Sequence, residues 1–146
     1  MGTCFIVLAL PFFFKGADSI SFTITLLSAV GGATAFLYSK NSQEIQLFRE
    51  LFREFNGRYD KLNEELNRIY GRALDMPLLD SDHSVLCDYF NLCAEEYLYA
   101  DAGCIDLRVW TAWQNGMRHF AQDPEIRAFW QDELQQNSYY GFTIPQ

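Results

Sequence analysis

Between Ser19 and Tyr38 the chain carries no charge at all, and from Ala73 to Gln146 it carries little positive charge: three basic residues against twelve acidic ones. The first absence excludes a solvated surface helix. Twenty uncharged residues in α-helical form reach about 30 Å, the thickness of a bilayer's hydrocarbon core. The second excludes the C-terminal segment as a surface for duplex nucleic acid, which needs clustered Lys and Arg against its phosphates. Cysteine is scarce as well. Cys4 lies in the apolar N-terminus, and Cys87, Cys93 and Cys104 make an odd set, unlike a disulfide framework and expected in a reducing compartment. No run alternates with period two for long enough to form a strand. There is no Gly-rich phosphate loop, no G-x-S-x-G and no H-E-x-x-H, so the sequence offers no catalytic motif and calls for no cofactor.

What is present fits 146 residues with a net charge of −8: one membrane segment and one small soluble domain. Thirteen Phe, eight Tyr and three Trp supply the buried area that so small a core needs. Residues 1–38 read as a transmembrane hairpin, with Gly2–Phe14 as a short first span and Lys15–Ser19 as its turn; a single span over Ser19–Tyr38 is the alternative. A cleaved signal peptide fits less well, because no basic segment precedes the apolar run and no A-x-A site follows it. Lys40, Arg49 and Arg53 follow the span, whereas Lys15 and Asp18 precede it. The positive-inside rule therefore places the C-terminal domain in the cytoplasm and the chain in the inner (cytoplasmic) membrane. Within the span, Ser28 and Gly32, and Gly31 and Ala35, are small residues four apart. This spacing lets helix backbones approach in lipid, either between copies as a homo-oligomer or against the chain's own first helix.

Residues 39–72 read as a heptad-patterned linker helix, capped by Asn41 or Ser42. Ile45, Phe48, Phe52, Phe55, Tyr59, Leu62, Leu66 and Ile69 alternate spacings of 3 and 4. The seam, centred on Phe48, Phe52, Phe55, Tyr59 and Leu62, serves either as a coiled-coil oligomer interface or as the face packed on the chain's own core. Gly57 interrupts it at a cost of about 1 kcal/mol. Residues 73–146 read as a cytoplasmic helical domain. Ser81 or Asp82 caps a helix ending before Gly103, Asp106 caps a second, and Asp123-Pro124-Glu125 opens a third with a cap, Pro at the first position and an acid in the first turn. The tail, Ser138–Phe142, is too aromatic to remain in water. The expected fold class is all-α: a membrane hairpin, a long amphipathic helix and a small helical bundle.

Asp88-Tyr89-Phe90-Asn91-Leu92-Cys93-Ala94-Glu95-Glu96-Tyr97, then Gly103, Ile105, Trp110, Trp113, Gly116, Met117, Trp130 and Ser138-Tyr139-Tyr140-Gly141-Phe142 form a pattern over about the last 65 residues. It resembles a widespread group of small, mostly uncharacterised bacterial membrane proteins with hydrophobic N-termini and a helical C-terminal domain. Proteins of this layout are similar to membrane effectors of phage-defence systems: CRISPR-associated membrane proteins gated by cyclic oligoadenylate, and two-helix effectors attached to retrons. The resemblance implies an antiviral effector, with a defence-complex protein or a cyclic nucleotide as trigger and membrane lipid as target. It implies no catalytic residue.

The residues themselves offer little chemistry. His83 and Cys87 share a helix face, but Cys93 lies about 240° around the helix from Cys87, so a buried reduced thiol outweighs a metal site. Asp88, Glu95 and Glu96 read as a solvated face, or as partners of Arg108 or Arg118, before they read as paired catalytic acids. His119 reads as a surface residue. Trp110 and Trp113 read as core before they read as a base-stacking platform. Two functions follow: a non-enzymatic membrane effector whose cytoplasmic domain senses a ligand or partner, and a structural module that anchors a partner at the membrane.

Overall fold

The computed structural model describes residues 18–73 and 76–145, and every regular element among them is a helix. In chain order these are α1 (Asp18–Tyr70), α2 (Asp80–Asp101), α3 (Leu107–Phe120) and α4 (Pro124–Leu134). The fold class is all-α, as expected. The first span of the expected hairpin lies outside the described residues. The chain divides into two compact units, Met1–Ile45 and Gln46–Gln146.

In the first unit, the described residues belong to α1. Ile20, Ile24, Leu27, Phe36 and Leu37 are all exposed, and none of the most apolar 18-residue window, of mean hydropathy 1.7, is buried within the chain. By length and composition this helix is able to cross a membrane. Two of its hydroxyls bond back to the helix: Thr25 Oγ1 donates to Ser21 O at 2.9 Å and Thr34 Oγ1 to Val30 O at 2.8 Å. Such back-bonding satisfies a hydroxyl where no water is available. The cap expected at Asn41 or Ser42 is absent, because α1 continues through both residues without a break. Neither position is helix-breaking, and the flanking residues keep the 3–4 spacing that favours continuation.

In the second unit, the heptad positions diverge in exposure. Phe55, Leu66 and Ile69 are fully buried against the other helices, Tyr59 and Leu62 are half-buried, and Phe52 remains 42 % exposed. Leu51, off the strict seam, is buried in their company. The core gathers Leu86, Tyr89, Phe90 and Cys93 of α2, Met117 and Phe120 of α3, and Ile126 and Trp130 of α4. Phe90 and Trp130 stack at 4.5 Å with their planes 7° apart. The aromatic tail packs back onto this core: Tyr139 and Phe142 are buried, and Phe142 stacks on Trp130 at 5.8 Å. At about 1.5–3 kcal/mol per fully buried large apolar side chain, these rings offset the small size of the domain.

Helix ends follow local chemistry. Asp106 accepts from Arg108 N at 2.9 Å, and Asp123 accepts from Glu125 N and Ile126 N at 2.9 and 3.0 Å. Both act as N-caps, with Pro124 opening α4. The start of α2 differs from expectation: the helix begins at Asp80, which puts Asp82 at its third position rather than at the cap. From there Asp82 accepts from Leu79 N at 3.0 Å and from Arg68 Nη2 at 2.6 Å. Asp82 thus still serves the helix start, from the third position, with one oxygen on the Leu79 amide and the other on Arg68. At the other end, Gly103 adopts φ +75°, and the Gly103 and Cys104 amides donate to Ala100 O and Tyr99 O at 3.0 and 2.9 Å. This left-handed turn favours a residue without Cβ. A buried hub joins the loop after α1 to the start of α4: Arg72 is bidentate to Asp123 at 2.8 and 3.1 Å and reaches Glu125 Oε2 at 2.8 Å.

Candidate functional site

The small residues singled out in the apolar stretch of α1, Ser28, Gly31, Gly32 and Ala35, are all exposed. A Cβ added at Gly31 or Gly32 would meet nothing within 4 Å. Packing among the described residues therefore leaves this face open to another helix. In the heptad segment, Phe55 is 1 % exposed, and its ring meets Trp113 edge-on at 5.7 Å. Phe52 lies parallel to Trp113 at 6.3 Å, and Phe48 meets Phe52 at 5.8 Å.

The chemistry of the domain concentrates in a cavity of about 200 Å³ lined by residues of α1, α2 and α3: Asn56, Tyr59, Tyr89, Glu96, Ala112, Trp113, Gly116 and Met117. Helical spacing puts them there. Tyr89, Cys93 and Glu96 are separated by 4 and 3, so all three fall on the inward stripe of α2. Asn56 and Tyr59 are three apart on α1, and Trp113, Gly116 and Met117 repeat on α3. The Tyr59 and Tyr89 rings stand 6.4 Å apart. Asn56 Nδ2 donates to Phe52 O at 2.6 Å, which directs the amide oxygen elsewhere. Gly116 leaves its share of the cavity empty, since a Cβ there would meet nothing within 4 Å.

Glu96 is the unexpected member. It is 6 % exposed, and no hydrogen-bond donor reaches its carboxyl among the described residues. Burial pushes its pKa from 4.5 to about 8; Arg58 pulls it down and Glu95 pushes it further up. Arg58 does not neutralise it, because its guanidinium is bidentate to Glu95, the longer arm at 3.1 Å. Around it, burial also raises the Tyr59 phenol and holds the Tyr89 phenol and the Cys93 thiol well above their usual range. At neutral pH the cavity is thus a set of neutral polar groups beside one satisfied ion pair. Its one reserve of charge is the proton of Glu96.

The sequence grouping of Asp88, Glu95 and Glu96 as one solvated face is therefore corrected in part. Asp88 is exposed, Glu95 pairs with Arg58 and with neither Arg108 nor Arg118, and Glu96 is buried. Arg108 instead pairs with its own cap residue, Asp106, at 2.9 Å. The signal that identifies Glu96 is an acid at i+3 from a buried Cys93 and i+7 from a buried Tyr89. His83 stacks on Phe129 at 4.5 Å, and His119 is exposed and meets Tyr70 at 4.3 Å. Among the described residues, no three His, Cys, Asp or Glu side chains cluster as metal ligands would. Trp110 and Trp113 both pack against the core, and Trp113 also lines the cavity. Comparison with protein-family models, with curated proteins and with solved structures finds no match.

Proposed function

We propose that this protein is a non-enzymatic effector of the inner membrane, acting in bacterial antiviral defence as the sequence pattern of its C-terminal domain implies. Residues 1–38 form the membrane hairpin, residues 73–146 form a cytoplasmic helical bundle, and residues 39–72 join them in sequence. The bundle senses a ligand or partner, and self-associated membrane helices then perturb the bilayer. The single observation that carries this reading is the uncharged stretch of α1, whose most apolar window the chain leaves unburied. Exposed apolar surface on this scale is stable only in lipid or against a partner. The small-residue face, with room at both glycines, supports close contact with another helix there.

A membrane-potential dye tests the proposal in cells overproducing the full chain. Depolarisation is expected from the parent, and none from a chain lacking residues 1–38 or from Gly32→Leu. The leucine keeps the segment apolar and its Cβ meets nothing within 4 Å among the described residues, so insertion is expected to survive while close helix contact is blocked. Depolarisation by Gly32→Leu equal to the parent's refutes self-packing through this face. A parent that never depolarises, even with its neighbouring genes and a phage challenge supplied, favours a module that anchors a partner at the membrane.

A further inference from the structure

We propose that the cavity between α1, α2 and α3 is a binding site for a small organic cation of the alkylammonium class, held by the Glu96 carboxylate and the rings of Tyr59, Tyr89 and Trp113. The inference rests on the reading of the domain as a ligand sensor and specifies the ligand. Three observations carry it. First, Glu96 is 6 % exposed as a residue, its carboxyl has no hydrogen-bond partner among the described residues, and its oxygens keep access to a cavity rather than being sealed in packed core. Buried carboxyls are retained when something pairs with them. Second, three electron-rich rings share the cavity. Such rings attract a desolvated cation through their quadrupoles, with Trp the strongest and Tyr close behind. Third, the size fits. About 200 Å³ lies below the 300–1,000 Å³ of sites for drug-sized ligands but above the roughly 150 Å³ that accommodates a benzene. A trimethylammonium-sized group has that bulk.

Charge balance gives the same answer. Arg58 and Glu95 neutralise each other, so ionising Glu96 leaves one uncompensated negative charge, and a monovalent cation restores neutrality. An anion is disfavoured for the same reason: a phosphate placed here faces Glu96, while the one nearby guanidinium is already bidentate to Glu95. Binding is linked to the proton. The groups facing Glu96 are Arg58 and Tyr59 from α1 and Tyr89, Cys93 and Glu95 from its own helix; α3 contributes Ala112, Trp113, Gly116 and Met117 to the cavity, none of them titratable. Both phenols and the thiol stay neutral through the neutral range, and Arg58 stays charged. Cation binding below the Glu96 pKa of about 8 therefore displaces one proton, and affinity rises with pH until that carboxyl ionises unaided.

The test uses the full chain in a non-ionic maltoside detergent, with choline as the probe and 3,3-dimethylbutanol as its neutral isostere. Isothermal titration in buffers of different ionisation enthalpy reads affinity and proton release together. Saturable choline binding is expected near pH 8.5, with the isostere and Glu96→Gln each weaker by about tenfold or more. Affinity is expected to rise nearly tenfold per pH unit below about pH 7 and to level off above about pH 9, with roughly one proton released per choline at the acid end. Gly116→Leu, which fills the cavity from a position with room for a Cβ, is expected to abolish binding. Any of three results overturns the assignment: no saturation by choline, equal affinity for the isostere, or affinity independent of pH. Adenosine binding where choline does not also overturns it, in favour of a base pocket. The pH and isostere measurements use the parent chain, so they decide the matter even if a variant fails to fold. Because depolarisation is read separately, an empty cavity in a chain that still depolarises removes the cation and leaves the effector reading standing.

Discussion

Glu96→Gln is expected to change how the stability of the domain depends on pH. In the unfolded chain this carboxyl titrates near 4.5; in the folded chain it titrates near 8. The folded state therefore holds a proton that the unfolded state releases, and unfolding is favoured progressively as pH rises between those values. Stability is fully present below about pH 4.5, declines through the neutral range and levels off above about pH 8. With about 1.4 kcal/mol per pKa unit, the loss is about 3 kcal/mol at pH 7 and on the order of 4–5 kcal/mol at pH 9. Glutamine has nearly the same shape as the protonated acid and no proton to lose, so its stability lacks this slope. Trp110, Trp113 and Trp130 all lie in α3 and α4, and their fluorescence during urea unfolding in non-ionic detergent reports this domain alone. The two proteins are expected to match near pH 4, and the variant to gain on the parent at every step upward. The parent and the variant differ at this one side chain, so the difference isolates Glu96. A parent whose unfolding midpoint stays flat from about pH 5 to about pH 8, or a variant that keeps the parent's slope, refutes the assignment of a buried, unpaired acid.

Two further outcomes follow from the packing. Asp123→Ala removes the α4 cap and leaves Arg72, whose side chain is 10 % exposed, without its bidentate partner; about 3–5 kcal/mol of stability is expected to go, and a change below about 1 kcal/mol in urea would count against the hub. Burial alone would raise the Asp123 pKa, but Arg72 and the cap amides more than offset it and hold the carboxyl below its usual range, so the hub persists above about pH 4 and is lost as pH falls further. Gly57→Ala, in mid-helix with nothing within 4 Å of the new Cβ, is expected to gain about 1 kcal/mol in the same assay.

Most of the helical architecture was legible in the sequence because it rests on local chemistry. Asp106, Asp123-Pro124 and Gly103 stop and start helices through bonds within a turn of themselves, and such bonds need no tertiary partner. The inward face of α2 was legible for the same reason, since Val85, Leu86, Tyr89, Phe90 and Cys93 repeat at helical spacing. What failed depended on partners distant in the chain. Asp82 looks like the N-cap itself, but it serves from the third position, with one oxygen on the Leu79 amide and the other held by Arg68, fourteen residues earlier. Glu95 looks solvated until Arg58 reaches it from 37 residues away. Glu96 was missed because charge was taken as a sign of exposure, although its spacing from Tyr89 and Cys93 already placed it inward. The break expected at Asn41 or Ser42 failed because cap residues allow a helix to start without forcing one to stop.

Two unfavourable features coincide at one place in this domain. Glu96 places an unpaired acid in a low-dielectric site, and Gly116 leaves a hole in the wall opposite while weakening α3. Each is removable by a single substitution with local stability as the gain: Glu96→Gln removes the desolvation cost, and Gly116→Ala adds about 1 kcal/mol of helix propensity without a clash. Elsewhere the same small core is tightly filled, with Phe90 flat on Trp130 and the tail folded over both. A domain of about 100 residues holds only a few kcal/mol in reserve, so a void and a destabilised acid side by side are expensive for it. Neither feature offsets the other, since no hydrogen-bond donor reaches the carboxyl among the described residues. Their coincidence is what a ligand cavity requires, because a bound cation fills the void left by the glycine and pairs with the acid in the same step. The free energy withheld from folding at this site is then recovered on binding, and the domain becomes more stable when occupied than when empty.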